Sequence, residues 1–346
     1  MSDADWAGLE FLDRRTAGKT AAGFAVALTV LGLFAIGIGV EDIRAELAGA
    51  DLRWLVAGCL STAVGLVAWA RAWQVVLRVV GVAVPFRKLV GTYYAATFAN
   101  YVTPMGQAGG EPFIAYVLSR DTDASYEDSL ASVVTADLLN LLPFFTFAAV
   151  GLVVLFVRAT LPDEVRGVAV ALAVFAVGAP AVVVAGWRFR APVGRDVVRA
   201  VAPVARRTRF VTVEGVRERL RELDEAFGRI AADPRALAHA LVFSYVGWLF
   251  FALPLYFAVL TVGGSISLFL VFFIVPASTL AGLTPSPGGL GGVELALVGL
   301  LGVLAGFSTD LGYAVATVYR LASYRFAVLV GGIAALWVRR ANERIG

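Results

Sequence analysis

Two glycine-rich breaks interrupt apolar stretches of the chain, and each break carries a glutamate. The first runs Thr-Pro-Met-Gly-Gln-Ala-Gly-Gly-Glu from Thr103 to Glu111, and the second runs Thr-Pro-Ser-Pro-Gly-Gly-Leu-Gly-Gly-Val-Glu from Thr284 to Glu294. Proline and glycine end helices, and a helix broken in lipid must satisfy its freed backbone groups inside protein or a polar cavity. The strings therefore predict two broken helical hairpins. The break residues are Pro104, Gly106, Gly109, Gly110, Pro285, Pro287, Gly288, Gly291 and Gly292.

The composition places most of the chain in lipid. Of the 346 residues, 59% are hydrophobic and 16% are charged, whereas soluble domains carry about 25% charged residues. We therefore expect a single integral domain over 1–346 in the cell membrane. Cys59 is the one cysteine and His239 the one histidine, so the sequence indicates no disulfide, metal site or cofactor. The basic residues lie in one loop and at the ends of apolar stretches, which argues against nucleic-acid binding.

Six apolar stretches are long enough to cross a bilayer core of about 30 Å as helices. The predicted spans are Thr20–Val40, Trp54–Val80, Ser132–Val157, Gly167–Trp187, Ala236–Val262 and Tyr313–Val338. The regions with breaks, Leu89–Arg120 and Ser267–Gly306, remain. The arms of the first are too short to cross, so it predicts a re-entrant hairpin, while the second fits either a hairpin or two tilted crossings.

Positive charge predicts the orientation in the membrane. With the N-terminus inside, the loops expected in the cytoplasm hold 23 of the 29 lysines and arginines, and the outer loops hold 4. This bias places both termini in the cytoplasm. The order span, span, hairpin, span then occurs twice with opposite orientation. The sequence thus predicts an all-α polytopic fold built as an inverted repeat over 20–157 and 167–338.

The long inner loop, 188–235, contains apolar residues at helical spacing between arginines and acidic residues. They are Val216, Leu220, Leu223, Phe227 and Ile230. This pattern predicts an amphipathic cytoplasmic helix. Two placements are open: contact with the anionic inner lipid surface, or packing beneath the helix bundle.

The glutamates that follow the breaks are the first candidates for a functional site, because a carboxylate in lipid is costly. Two accounts of Glu111 and Glu294 are open. They cap the helices that follow, or they act as midplane ligands, proton sites or ion-pair partners. The spacing to the next span is the same in both halves, since Glu111 precedes Asp137 and Glu294 precedes Arg320 by 26 residues.

Arg320 and Arg325 fall near the middle of the last span. Each costs roughly 2.5–3.5 kcal/mol there unless it is paired or hydrated. In a regular α-helix, residues five apart point about 140° away from each other. We therefore expect one arginine to meet Glu294 and the other Asp137 or Glu111. Arginine also binds phosphate through its planar fork of donors, so structural pairing and lipid-phosphate binding both stay open.

Four uncharged or acidic polar residues complete the candidate site. Asp137 and Asn140 lie three residues apart on one helix face, and Asn100 and Thr103 do the same in the first hairpin arm. Two roles are open for them. They line one cavity with the glutamates and arginines, or they satisfy the broken backbone.

At these residues the chain resembles the transmembrane region of bacterial lysylphosphatidylglycerol synthases and their stand-alone, flippase-like relatives in bacteria and archaea. The likeness covers roughly Leu55 to Trp337. It is carried by Asn-Tyr-Val-Thr-Pro from Asn100, by Gly-Glu-Pro-Phe-Ile-Ala-Tyr from Gly110, by the second break, and by Tyr-Arg-Leu-Ala-Ser-Tyr from Tyr319.

The resemblance implies an inner-membrane protein that moves or houses lipid-linked substrates. Synthase-type members flip aminoacylated phosphatidylglycerol, and archaeal relatives have been linked to polyisoprenoid-linked sugars. This chain departs from the family at two positions: Ile114 stands where an arginine is common, and Asp137 replaces the arginine of an Arg-x-x-Asp pattern. The soluble acyltransferase domain is absent, so lipid aminoacylation is not expected.

The first functional hypothesis is a translocase (flippase) of phospholipid or polyisoprenoid-linked substrate, with a charged midplane cavity between the repeats. The alternatives are a small-solute or ion-coupled secondary transporter, and a non-catalytic accessory to lipid-linked glycosylation. A lateral opening towards lipid favours the first, and a closed vestibule favours a small solute. No pattern of a nucleophile with a base, or of metal ligands, indicates an enzyme. Membrane lipids or lipid-linked sugars are the expected partners; a homo-oligomer and a glycosyltransferase or lipid-modifying enzyme partner stay open.

Overall fold

The protein is built from α-helices. The computed structural model describes residues 49–102, 114–115, 118–119, 125–158, 167, 170, 174, 213–281 and 286–342, and these ranges contain no strand. The helices that position the site are α1 Leu52–Val79, α2 Phe86–Val102, α3 Tyr126–Arg158, α4 Val213–Ala231, α5 Pro234–Thr261, α6 Leu268–Ala281, α7 Gly292–Ala305, α8 Thr309–Arg320 and α9 Phe326–Asn342. A 3-10 turn, Pro287–Gly289, precedes α7, and a π turn, Leu321–Arg325, joins α8 to α9.

Several of these helices are long and apolar enough to cross a membrane, and among the described residues they include α1, α3 and α5. Helices α1 and α5 cover the second and fifth predicted spans. Helix α3 begins at Tyr126, ahead of the predicted start at Ser132, because a polar first turn with Glu127 and Asp128 extends it beyond the apolar stretch. The first predicted span lies outside the described residues, as does the fourth except for three positions.

The second break divides its region into two short helices. Helices α6 and α7 have 14 residues each, or about 21 Å, which is less than the roughly 30 Å of a bilayer core. Counted with its 3-10 turn, α7 reaches the 19 residues of a span. However, Gly288 has a φ of 58° and Gly291 a φ of 84°, so the backbone turns between them. Because α6 and α7 also pack on each other, the hairpin is the better description of the two.

Helices α1 and α5 form the central pair of the described bundle. Two glycines permit their close approach. A Cβ on Gly65 would lie 3.0 Å from the carbonyl oxygen of Gly247, and a Cβ on Gly247 would overlap the indole of Trp69. Small residues take this place between membrane helices because lipid gives little hydrophobic drive for association, so close backbone packing must supply it.

The flanking helices pack in a reciprocal pattern. Helix α2, which leads into the first break, packs on α9 at the end of the last span, and α6, which leads into the second break, packs on α3. Corresponding helices start 182 positions apart: 234 less 52 for the central pair, and 268 less 86 for the hairpin arms. Two copies of one unit that exchange packing partners give this arrangement. The repeat over 20–157 and 167–338, its inverted sense and the cytoplasmic placement of both termini stay predictions, with which this pattern is in line.

The amphipathic helix α4 packs against α3. Its residues Ala226 and Ile230 are buried. Arg229 forms an ion pair with Asp128 in the first turn of α3. These contacts support the second of the two placements considered for the inner-loop helix, namely packing beneath the bundle.

We expect Gly247→Ala to lower the melting temperature of the detergent-purified protein. The added methyl group overlaps the Trp69 indole, and overpacking costs about 1–3 kcal/mol. Gly299→Ala in α7 is the matched control, because nothing lies within 4 Å of a Cβ at that position and alanine forms helix better than glycine. An unchanged melting temperature for Gly247→Ala would contradict the packing of α1 on α5.

Candidate functional site

The structure describes six of the predicted substrate-binding residues and brings them into two groups. Glu294, Arg320 and Arg325 lie around the second break; Asn100, Asp137 and Asn140 line a cavity beside α2. The other predicted residues of the first break lie outside the described residues, and so does one residue of the second. They are Thr103, Pro104, Gly106, Gly109, Gly110, Glu111 and Pro285.

The guanidinium of Arg320 holds the second break to the last span. Its Nε donates to Oε1 of Glu294 at 2.7 Å, and its Nη2 donates to the carbonyl of Gly288 at 2.9 Å. Its Cζ lies 4.2 Å from the centre of the Tyr324 ring. The side chains of Arg320 and Glu294 are only 8% and 18% exposed. Each charge compensates the other where a lone charge would be costly.

Glu294 also satisfies the backbone of the break. Its Oε2 accepts a hydrogen bond from the amide of Gly291 at 2.8 Å. Gly291 immediately precedes α7, so this amide is one of the donors that a helix N-terminus leaves without an intrahelical partner. Helix capping and ion pairing were alternative accounts of Glu294, and one carboxylate performs both.

Tyr324 connects the second break to the end of α2. A side chain on Gly288 would overlap the Tyr324 ring, so the ring lies directly on the backbone of the break. The rings of Tyr324 and Tyr101 are 5.2 Å apart, and the Tyr324 hydroxyl donates to the Tyr101 carbonyl at 3.4 Å. Tyr101 stands two residues before Thr103, where the first break begins. Neither tyrosine was predicted as a site residue, although both lie in the strings that carry the family resemblance.

The expected angle of about 140° between Arg320 and Arg325 is wrong, because the helix between them is not regular. Leu321–Arg325 form a π turn, which closes i to i+5 hydrogen bonds and is frequent at functional sites. In such a turn, a residue and the fifth residue after it are separated by roughly one helical turn, so their side chains lie on similar faces of the helix. Arg325 accordingly lies within electrostatic range of both Arg320 and Glu294.

Two hydroxyl groups hold the π turn in place. Oγ1 of Thr62 in α1 donates to the carbonyl of Ala322 at 2.9 Å, and Oγ of Ser323 donates to the carbonyl of Tyr319 at 2.7 Å. A π turn disturbs the regular backbone ladder, and these donors supply bonds to carbonyls beside the disturbance. The π turn is therefore anchored to the central helix pair.

A cavity of about 380 Å³ lies between α1, α2, α3 and α5. It brings together Asp137 and Asn140 of α3, as their spacing predicted, and adds Asn100 of α2. Glu294, Arg320 and Arg325 do not line it, so the prediction of one cavity shared with these charged residues is wrong. Aromatic side chains provide much of the remaining wall, and these were missed by the sequence analysis. They are Trp69, Trp73, Tyr93 and Trp248. The sequence did offer one indication of this wall, because Trp69 and Trp73 are four residues apart and so lie on one helix face.

Buried polar atoms of the cavity wall lack a hydrogen-bond partner. Among the described residues these are Oδ1 of Asn100, Oδ1 of Asn140, Nε1 of Trp69 and Nε1 of Trp248. Asp137 differs, since its Oδ1 accepts a hydrogen bond from Nε1 of Trp73 at 3.1 Å. Buried polar groups in proteins are nearly all hydrogen-bonded. These four atoms are therefore unsatisfied groups within the wall itself, and they have almost no accessible surface.

The cavity borders on exposed apolar side chains of α3. Leu138 and Leu141 line it and are 38% and 37% exposed, and Leu142 beside them is 42% exposed. On a helix that spans the membrane, exposed leucines of this kind face lipid chains. The polar interior of the cavity thus adjoins an exposed apolar surface.

Comparison with known proteins gives the family. The model of the lysylphosphatidylglycerol synthase transmembrane region matches residues 20–331. The chain belongs to this family. A UPF0104 membrane protein of Methanothermobacter thermautotrophicus is 28% identical over 334 residues, which cover 94% of each chain. A UPF0104 membrane protein of Pyrococcus horikoshii is 24% identical over 309 residues, or 87% of this chain and 92% of the relative. With its long apolar helices, this chain is a multi-pass integral membrane protein.

We expect Arg320→Gln to destabilise the protein strongly, since removing one partner of a largely buried pair costs about 3–5 kcal/mol. Arg53→Gln is the matched control, because Arg53 pairs with Asp51 but is 86% exposed, and exposed ion pairs contribute little to stability. Melting temperatures in detergent compare the two variants. Adding Glu294→Gln to Arg320→Gln should recover part of the loss. Equal melting temperatures for the two single variants would contradict a structural role of the Arg320 pair.

Gly288→Ala and Gly291→Ala separate backbone strain from steric overlap. Both glycines have positive φ, but a Cβ overlaps the Tyr324 ring only at Gly288, and nothing lies within 4 Å of one at Gly291. Gly288 has φ 58° and ψ 23°, so we expect Gly288→Ala to lose about 1–2 kcal/mol from left-handed strain and about 1–3 kcal/mol more from overlap. Gly291 has φ 84° and ψ −51°, so Gly291→Ala should be destabilised by backbone strain alone. In chemical denaturation, a loss for Gly288→Ala no larger than the strain would show that the Tyr324 ring does not lie on the break.

Proposed function

We propose that the protein is a translocase that moves amphipathic lipids, either phospholipids or polyisoprenoid-linked substrates, across the cell membrane. The observation that carries the proposal is the polar and aromatic cavity bordered by the exposed leucines Leu138 and Leu141. A lipid has the same two-part character, with a polar headgroup and apolar tails. Membership in a family named for a phospholipid synthase supports a lipid-related role.

In this proposal the headgroup enters the cavity while the tails remain in lipid along the exposed leucines. A bare headgroup crosses hydrocarbon slowly because its polar groups lose their hydration. Asn100, Asp137 and Asn140 replace part of that hydration along the path. The border of exposed leucines favours a lipid over a small soluble solute, which needs a vestibule that is open to water and closed to lipid.

The ion-pair cluster has a different role from the cavity. Arg320 is engaged by Glu294, by the carbonyl of Gly288 and by the Tyr324 ring, so a lipid phosphate that reached it would have to displace Glu294. We therefore assign the cluster to holding the second hairpin against the last span. The glycine and proline breaks then act as hinges when one half of the protein rocks against the other. The cycle contains no chemical step, so the protein is not proposed as an enzyme.

The test is a flipping assay in vesicles that contain the purified protein and a trace of headgroup-labelled fluorescent lipid. A reductant added outside bleaches the label in the outer leaflet, and further bleaching reports lipid that crosses from the inner leaflet. We expect protein-containing vesicles to bleach beyond the outer-leaflet share. Leu138→Trp, which narrows the border of the cavity, should slow this phase about tenfold, as an added barrier of about 1.4 kcal/mol does.

Leu60→Trp is the matched control for Leu138→Trp. Leu60 lies on α1, is 61% exposed and does not line the cavity, so tryptophan there should leave the flipping rate unchanged. Bleaching that never exceeds the outer-leaflet share, for phospholipid and glycolipid labels alike, would refute the translocase. Equal rates for Leu138→Trp and the parent protein would refute this entry path.

A further inference from the structure

We propose that the protein has a second conformation in which the hydroxyl of Ser244 in α5 donates to the carbonyl of Leu139 in α3. That bond is the counterpart of one that the structure contains, from Oγ1 of Thr62 to the carbonyl of Ala322 at 2.9 Å. The inference names the parts that move in the proposed translocase, and its meaning for transport rests on that function. The conformational change is a separate property and is tested separately.

Equal spacing relates the donor residues on α1 and α5. Each helix carries a hydroxyl residue three positions before its close-contact glycine: Thr62 before Gly65, and Ser244 before Gly247. The glycines are 182 positions apart (247 less 65), the hydroxyl residues are too (244 less 62), and this interval also separates the starts of the two helices. A Cβ on Gly65 would lie 3.0 Å from the carbonyl oxygen of Gly247, so each glycine meets its own counterpart. Equivalent residues of two units meet at the axis that relates the units.

The acceptor residues are related in the same way. Asp137 and Arg320 each follow the glutamate of their break by 26 residues, so they hold the same place in the two predicted repeats. Two residues further on, Leu139 in α3 corresponds to Ala322 in the π turn. The bond that Ala322 accepts from α1 therefore has an equivalent pair of groups between α3 and α5.

The acceptor carbonyl lacks its regular helical donor in both units. A regular α-helix would direct the amide of Phe326 to the carbonyl of Ala322, but in the π turn this amide donates to Leu321 and Ser323 instead. In α3 the residue four positions after the equivalent carbonyl is Pro143, which has no N–H. Serine and threonine side chains of neighbouring helices satisfy such freed carbonyls in membranes. A hydroxyl from the central helix pair can thus replace the missing amide in either unit.

One of the two equivalent hydroxyls is bonded, and the other is not. Thr62 and Ser244 are 1% and 0% exposed. Thr62 donates to the π turn, whereas Oγ of Ser244 has no hydrogen-bond partner within the described part of the chain. Ser244 lies on the side of α5 that packs on α3, because Trp248, one turn later on the same face, packs on Phe144 with ring centres 5.2 Å apart. A buried unpaired hydroxyl is costly, and a conformation that brings the Leu139 carbonyl to it removes that cost.

The close packing of α1 on α5 couples the two bonds. The contact of Gly65 on Gly247 leaves the helix pair no room for independent movement, and the pair packs both on α3 and on the π turn. A tilt of the pair that brings Ser244 to α3 therefore takes Thr62 away from the π turn. One hydroxyl is bonded while the other is unpaired, and the two conformations exchange these roles.

The two units also differ in backbone conformation. The unit with the bonded hydroxyl contains the π turn, Leu321–Arg325, whereas α3 is continuous helix from Tyr126 to Arg158. Exchange of equivalent conformations gives a second state with the same kinds of contact and a similar free energy, as a two-state transporter requires. Because the repeats are predicted to be inverted, this exchange moves the opening of the protein from one side of the membrane to the other.

The test measures the separation of α3 and α9 by double electron–electron resonance. Spin labels are attached after the changes Val153→Cys and Leu329→Cys, at residues that are 59% and 64% exposed. The native cysteine is removed by Cys59→Ser, and the full chain is placed in phospholipid nanodiscs. We expect two distances, one for each conformation.

Thr62→Val and Ser244→Ala should shift the two populations in opposite directions. Thr62→Val removes the donor of the present conformation, so the ratio of the second population to the first should rise about fivefold, the effect of losing roughly one hydrogen bond. Ser244→Ala removes the donor of the second conformation, so the same ratio should fall about fivefold. Thr62→Ser keeps the hydroxyl and should keep the parental ratio. One unchanged distance distribution in all variants, or shifts in a common direction, overturns the inference.

Ser61→Ala is the matched control for the loss of a buried hydroxyl. Oγ of Ser61 donates to the carbonyl of Phe250 at 2.6 Å, and Ser61 is 4% exposed. This bond lies within the central helix pair, so both conformations keep it. Ser61→Ala should lower the melting temperature and leave the population ratio unchanged, and a ratio that changes overturns the inference. Ser244→Ala should keep the parental melting temperature, since its hydroxyl is unpaired here, and it decides the test alone if Thr62→Val does not fold.

The flipping assay distinguishes failure of this inference from failure of the proposed function. Opposite shifts of the two populations without flipping of any labelled lipid would refute the translocase and keep the conformational switch. Flipping at the parent rate by Ser244→Ala, with an unchanged distance distribution, would refute the switch and keep the translocase. Flipping that slows in Ser244→Ala as the second population shrinks supports both.

Discussion

The fold around the second break depends on one ion pair that also satisfies broken backbone. Arg320 donates to the carbonyl of Gly288, and Glu294 accepts from the amide of Gly291. Each side chain thus compensates a charge and a backbone group that lipid would leave unsatisfied. This explains why a helix can be interrupted by glycine and proline here. Glu294 lies on α7 and Arg320 on α8, so the pair also holds the helix that follows the break against the last span.

The same constraint reaches the cavity through the end of α2. Tyr101 contacts Tyr324, whose ring packs on Gly288 and under the guanidinium of Arg320. The preceding residue, Asn100, lines the cavity. Two consecutive residues therefore connect the ion-pair cluster with the polar wall. Through these contacts Tyr324 connects the second break with the helix end that carries Asn100.

The sequence predicted those features that follow from local chemistry. A carboxylate within the membrane needs a partner for its charge. The partner of Glu294 is Arg320, 26 residues later in the chain. Helical spacing placed Asp137 and Asn140 together, and the structure adds Asn100. The aromatic wall escaped notice because tryptophans within apolar helices are ordinary core or lipid-facing residues. These rings meet only because α1, α2 and α5 pack together, and the sequence of one helix does not show that packing. The counterpart cluster at the first break stays a prediction, because its glutamate lies outside the described residues.

The π turn at Leu321–Arg325 has a consequence for the register of the whole final helix. An ordinary α-helix rotates by about 100° and rises about 1.5 Å with each residue, so the extra residue in a π turn fixes the rotational phase of everything that follows. Gly331 of α9 depends on that phase, since a Cβ there would lie 2.5 Å from the carbonyl oxygen of Tyr94 in α2. If the π turn became regular α-helix, the following residues would rotate and the face with Gly331 would point away from α2. The π turn beside Arg320 and Arg325 thus determines which face of α9 packs on α2.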